Sequence, residues 1–173
     1  SDLLRETGLK PKAKWVLAEG SDTSGMTRSI PIEKILDDCL IAWAMNGEAL
    51  RPEQGYPARL VVPGWEGNMW VKWIRRLEFG DKPYMTREET SKYTDLLTDG
   101  KARMFTWVME AKSVVTSPSP EKPILHKGIQ QLRGLAWSGK GKIKRVDVSL
   151  DGGKNWRTAQ LHAPIMSLSL IHI

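Results

Sequence analysis

Short β-branched and aromatic runs, each stopped by Pro, Gly or Asn, constrain this chain of 173 residues more than any other feature it carries. In residues 55–73, GYPARLVVPGWEGNMWVKW, the branched side chains of Leu60-Val61-Val62 predict a buried strand. That strand must end at Pro63-Gly64, where the pyrrolidine ring removes a donor and Gly permits a turn. Arg59 precedes the strand, and the loop beyond it carries Trp65, Gly67, Trp70 and Lys72. Such a loop is either a packed corner or a binding site, and the local pattern leaves both open.

The same punctuation organises the rest. The chain opens in a polar, helix-like stretch that leads to a strand at Trp15-Val16-Leu17-Ala18, and Glu19 to Gly25 reads as a loop. Ser29-Ile30-Pro31-Ile32-Glu33 reads as a cap, a Pro near the first turn and an acidic residue ahead of a short helix. Asn46-Gly47 predicts a hairpin of two short strands within residues 41–50. Lys72 to Phe79 alternates as a half-buried strand does, Gly80 to Pro83 stops it, and Tyr84 to Gly100 predicts a loop. Beyond residue 100 short strands alternate with turns, at 105–111, 113–116, 128–138, 142–150 and 155–161, with a Pro-rich link at 117–123. Arg145 to Leu150 alternates strictly before Asp151-Gly152-Gly153, a hairpin in an antiparallel sandwich. The expected division is therefore 1–100, 101–166 and an apolar, low-complexity tail at 167–173. The tail reads as non-native and the chain as a fragment.

Several function classes are excluded by what the residues lack. No apolar run of about 18 residues is present, so no membrane-spanning helix is expected. The single cysteine, Cys39, rules out an internal disulfide and a Cys-based zinc site. Its apolar neighbours point to core packing rather than a reactive thiol. His126, His162 and His172 have neither a nucleophile context nor a spaced metal partner, and neither a Gly-x-Gly-x-x-Gly turn nor a Walker motif occurs. Asp147, Ser149, Asp151 and Gly152 imitate a calcium loop, but its twelfth position is Thr158 and not a bidentate Glu. Twenty-six Lys and Arg against 20 Asp and Glu give a net charge of +6, which favours an anionic partner without naming one. The tryptophans fall within apolar strands rather than between cations, which speaks against nucleic acid. Lys140, Lys142, Lys144 and Arg145, near the turn Ser138 to Gly141, suit either an oxyanion site or a solvated turn.

Taken in order, Ser29-Ile30-Pro31, Met45-Asn46-Gly47, Gly55 to Gly64, Val71-Lys72-Trp73, Gly134 to Gly139 and Arg145 to Gly153 resemble the sulfite oxidase family of molybdenum enzymes. The likeness runs from about residue 15 to 161. Within the family, EGSD, MTRSIP, NGEALRPEQGYP, PGWEGNM and MTREETSKYTDL most resemble the sulfane dehydrogenase branch of the bacterial Sox thiosulfate-oxidising system.

The resemblance implies an α+β chain: the C-terminal part of a molybdopterin-binding domain, then a truncated immunoglobulin-like sandwich through which relatives dimerise. It implies oxidation of a sulfur substrate, a sulfur oxyanion or protein-bound sulfane sulfur, with electrons passed to a c-type cytochrome and a periplasmic location. The alternative is a non-catalytic scaffold or assembly subunit. By family position, Arg59 with Trp70, Val71 and Lys72 would hold the pyranopterin cofactor. An Arg fork, a Lys point charge and close backbone approach beside Gly67 are what its phosphate and polar ring edge require. Gln54 stands where relatives carry a histidine and retains only hydrogen bonding. Met26 replaces a tyrosine found near the metal, Arg28 becomes a candidate anion contact, and Lys142 falls where relatives have an arginine. The molybdenum-ligating cysteine of the family belongs upstream, and Cys39 does not match it.

Overall fold

The structure is a computed structural model that describes residues 2–124 and 126–162 and the backbone of 171–172. It divides into two compact units, Ser1–Trp107 and Val108–Ile173.

The first unit is organised by β1 (Trp15–Gly20), which lies between β2 (Thr27–Pro31) and β7 (Ile74–Gly80) in an antiparallel sheet of order β2-β1-β7. A central strand covered on both faces needs a continuous apolar run rather than alternation, and Val16, Leu17 and Ala18 are all buried. Glu19, buried at the strand end, is held by Arg75 and Arg76 of β7. The expected loop from Glu19 therefore begins two residues later, because β1 continues to Gly20.

Ser29 does not cap the following helix. It lies within β2, and α2 (Ile32–Asp37) starts behind Pro31 without a side-chain cap. Between α2 and β7 run β3 (Leu40–Ala42), paired with β6 (Arg59–Val61), and the hairpin of β4 (Ala44–Met45) and β5 (Glu48–Ala49). Asn46 and Gly47 at its tip have φ of 53° and 83°, the left-handed pair that a two-residue hairpin turn demands. The core gathers Ala18, Ile30, Leu60, Val62, Met69 and Val71, with Cys39, Trp65, Trp70 and Trp107 packed on its border. Trp65 and Trp107 stack at 5.0 Å between ring centroids.

The expected loop at 84–100 instead contains α3 (Arg87–Ser91) and β8 (Thr94–Leu96), which pairs with β9 (Ala102–Met104). Five residues cannot sustain a helix alone. Here Thr86 accepts a hydrogen bond from Glu89 N at 3.3 Å, and the side chains of Glu88 and Glu89 are buried against the strand layer. The strand expected at 105–111 is absent as a ladder, since β9 ends at Met104.

The second unit has β10 (Lys112–Ser117), β11 (Arg133–Trp137) and β14 (Ile171–His172) in one sheet and β12 (Asp147–Val148) with β13 (Arg157–Thr158) in a two-stranded ladder. β10 runs one residue past its expected bounds at each end, whereas β11, β12 and β13 are shorter than the sequence predicts, and the hairpin around Asp151-Gly152-Gly153 closes with Asp147 opposite Thr158. Among the described residues of this unit only Gly134 and Ala136 are buried. Val114, Val115, Leu150 and Trp156 line an open groove of about 960 Å³ instead. Of the tail, residues 167–170 and 173 lie outside the described residues, and Ile171–His172 pair with Leu135 and Ala136 of β11.

Candidate cofactor site

Arg59 opens β6 and ties two turns together. Its Nη1 donates to Gln54 O at 3.0 Å and its Nη2 to Trp70 O at 3.1 Å, so one planar fork joins the 3-10 turn Pro52–Gln54 to the end of the turn Gly67–Met69. Burial holds the pKa of Arg59 below its ordinary value, and its Nε–H is buried without a hydrogen-bond partner. Beside it, Lys72 Nζ donates to Glu53 O at 2.9 Å and lies 4.4 Å from the centre of the Trp73 ring. Trp73 in turn donates from Nε1 to Pro52 O at 2.8 Å.

Gly55, which the sequence reading did not single out, sits between these two cations. Its φ is 111°, and a Cβ there would come within 3.0 Å of Lys72 Cβ and 3.1 Å of Arg59 Cβ. The close approach expected beside Gly67 thus falls at Gly55, because a Cβ on Gly67 would meet nothing within 4 Å. The available signal was a Gly directly after Pro-Glu-Gln, where a short helical turn ends in a left-handed residue.

The remaining expected cofactor positions act mainly through their backbones. Gln54 accepts from Arg51 N through Oε1 at 3.2 Å, closing its own turn, while its carbonyl serves Arg59. Trp70 Nε1 donates to Trp65 O at 3.2 Å, and Val71 is a core side chain whose carbonyl accepts from Leu60 N at 2.8 Å.

The chemistry of this donor set is that of an anion cradle. It has a guanidinium with one orphaned N–H, an ammonium whose hydrogen bond goes to a neutral carbonyl, and glycine backbone between them. These residues fit the phosphate and polar edge of a pterin cofactor. They supply no metal ligand. Among the described residues no group of three or more His, Cys, Asp or Glu is placed to hold a metal, and burial pushes the Cys39 thiol up to about 11, leaving it protonated at neutral pH.

Arg28, expected as an anion contact, lies elsewhere in the first unit with its side chain fully buried. Its Nε is 3.1 Å from Oε1 of Glu89, which is also fully buried, and its guanidinium carbon stands 4.0 Å over the Tyr93 ring. Burial lowers the pKa of Arg28 and raises that of Glu89. Glu89 Oε1 also accepts from Ser29 N at 2.8 Å, Ser29 Oγ accepts from Tyr84 N at 3.1 Å, and Thr86 Oγ1 donates to Thr27 O at 3.3 Å. The segment leading into α3 is thereby fastened along β2. Sequence reasoning missed Glu89, although Thr86-x-x-Glu89 has the spacing of a capping box.

Lys142 belongs to the second unit, exposed between Lys140 and Lys144 along a shallow groove of about 630 Å³, while Arg145 pairs with Asp147 at 2.9 Å.

Residues 1–88 match the oxidoreductase molybdopterin binding domain family and residues 103–167 the Mo-co oxidoreductase dimerisation domain family. The chain belongs to the sulfite oxidase family of molybdenum-cofactor oxidoreductases. Among family members, mitochondrial sulfite oxidase of Drosophila melanogaster is 35% identical over 179 residues, 92% of this chain and 31% of that protein. Nitrate reductase [NADPH] of Mycosarcoma maydis is 31% identical over 180 residues, 88% of this chain and 18% of that protein. The crystal structure of the sulfane dehydrogenase SoxCD from Paracoccus pantotrophus superposes with a TM-score of 0.89 at 62% identity, covering 99% of this chain and 45% of that one. The chain thus spans a third or less of these two curated relatives and under half of the solved one. The Arg59, Gly55 and Lys72 cradle lies inside the segment that matches the molybdopterin-binding family.

Proposed function

We propose that this chain is part of a molybdenum-dependent oxidoreductase that oxidises a sulfur substrate, sulfane sulfur or sulfite, and passes the electrons to a c-type cytochrome in the periplasm. The observation that carries the proposal is the 62% identity to a sulfane dehydrogenase over nearly the whole chain. When bound, molybdenum-molybdopterin would supply the two-electron oxygen-atom-transfer chemistry.

The residues of this chain have separate tasks in that reading. Arg59 and Lys72 neutralise and orient the anionic end of the cofactor, Gly55 lets it approach the backbone, and the carbonyls of Gln54 and Trp70 fix the Arg59 fork. Lys142 is an anion contact of the second unit, which also forms a homodimer. Arg28 keeps the Met26 to Ser29 segment in place through Glu89. The metal-ligating cysteine comes from sequence upstream in this reading, since Cys39 lies on the core border of the first unit and does not match the family's ligand position.

A second reading is a non-catalytic scaffold or assembly subunit, and it rests on Cys39 not matching the position of the family's metal-ligating cysteine. Molybdenum content and substrate-dependent reduction of a c-type cytochrome by the full-length protein separate the two. About one molybdenum per chain and turnover with thiosulfate-derived sulfane sulfur or sulfite are expected. Purified full-length protein without molybdenum and without turnover would give first place to the scaffold.

A further inference from the structure

Trp73 and Asn46 are the non-glycine residues with positive φ among those described, and a turn accounts for Asn46 alone. Trp73 holds φ of 50° directly before β7, a conformation that a bulky aromatic residue rarely adopts and that persists only where its surroundings over-determine it. Three contacts do so here. Its indole Nε1 donates to Pro52 O, its carbonyl accepts from Ser21 N at 2.8 Å, and its ring faces Lys72 Nζ.

We propose that Trp73 is a positioning residue for the cofactor cradle, its left-handed backbone and its indole together setting Lys72 against the Pro52–Gln54 turn and Gly55. The inference rests on the reading of Arg59 and Lys72 as cofactor-binding residues. The indole N–H holds the turn whose last carbonyl receives Arg59, and the ring face fixes the ammonium 4.4 Å away. On the other side, the Lys72 backbone is closely confined, because a Cβ on Gly20 would lie 2.8 Å from Lys72 O. Lys72 therefore has its main chain set by Gly20 and its head set by Trp73. A merely packed tryptophan would need neither the strained φ nor the directed N–H bond.

The test uses the cofactor-loaded full-length protein and follows release of molybdopterin through the fluorescence of its oxidised pterin, beside the thermal midpoint. Trp73→Gly relieves the backbone and removes the indole, whereas Trp73→Phe keeps a ring over Lys72 and removes the N–H. Release about tenfold faster in Trp73→Gly and intermediate in Trp73→Phe, with midpoints within about 3 °C of the parent, is the expected result. If Arg59→Ala and Lys72→Ala accelerate release while both Trp73 variants match the parent, or if release in the Trp73 variants merely follows a fallen midpoint, the positioning role is overturned and the cofactor site stands. If none of the four variants alters release, the cofactor reading falls and this inference with it.

Discussion

Replacing Arg28 by Met should be among the most damaging single changes in the first unit. The guanidinium and the Glu89 carboxylate are both wholly enclosed, with Nε 3.1 Å from Oε1, so neither charge can turn to water if its partner is lost. Without Arg28, Glu89 retains Ser29 N as a donor but becomes an uncompensated buried charge. Breaking such a pair from one side costs about 3–5 kcal/mol. Glu89→Gln strands the arginine and should cost a similar amount. The double variant Arg28→Met, Glu89→Gln removes both charges and leaves an amide oxygen for Ser29 N, so about 1–2 kcal/mol is expected, less than either single change. Urea unfolding followed by tryptophan fluorescence gives the three values. The sign with pH follows from the raised pKa of Glu89. Arg28 is among the groups that hold the Glu89 value down against burial, so its loss raises that value further; the variant then loses more stability than the parent as pH rises, and its defect should shrink as pH falls towards the ordinary Glu value of 4.5. Additive single effects, or a defect of Arg28→Met that is the same at pH 5 and pH 8 (roughly the span over which a buried carboxyl titrates), would refute a mutually dependent buried pair.

Gly55→Ala should destabilise the first unit by about 1–3 kcal/mol in the same assay, since φ of 111° is hostile to a Cβ and Lys72 Cβ stands 3.0 Å away; a neutral result would mean that the turn relaxes freely. The Cys39 thiol, pushed up to about 11, should react with a disulfide reagent at pH 8 far more slowly than after denaturation, and equal rates would place it in solvent. Asp151, lowered from 3.8 to about 2 by hydrogen bonds from Asn155 and Ser149, contributes stability to its turn that is present above about pH 4 and lost as pH falls through 2; an NMR titration midpoint near 4 would contradict this. The groove beneath Val115 and Leu150 should bind a hydrophobic dye, and Val115→Lys should reduce its emission, whereas unchanged emission would locate the dye elsewhere.

Local chemistry made much of the first unit legible. Asn46-Gly47 needs left-handed backbone, Trp15 to Ala18 reads as a strand, and both readings survive in the fold. The Arg59 and Lys72 cradle was legible only through resemblance, because nothing local says that residues 54 and 70 meet. The α3 segment was opaque for a related reason. Its helix depends on a carboxylate buried beside an arginine 61 positions earlier in sequence, and no periodicity within five residues records that. Gly67 looked like the glycine for close approach and Gly55 proved to be so, since only the fold decides which glycine has a neighbour. At 128–138, 142–150 and 155–161 alternation correctly indicated strands but overstated their length, because alternation extends a strand only where a partner exists to pair with it.

The placement of β1 also sets a timetable for synthesis. Its first neighbour, β2, emerges within about a dozen residues, but its second edge pairs Trp15 with Gly80 and Gly20 with Ile74. At a translation rate of about 5–20 residues per second, Trp15 to Ala18 waits roughly 3–13 s on the ribosome with one row of backbone donors and acceptors open. The Trp-Val-Leu-Ala segment is therefore open to a nascent-chain holdase throughout that interval, and slowing of translation before Gly80 would lengthen it.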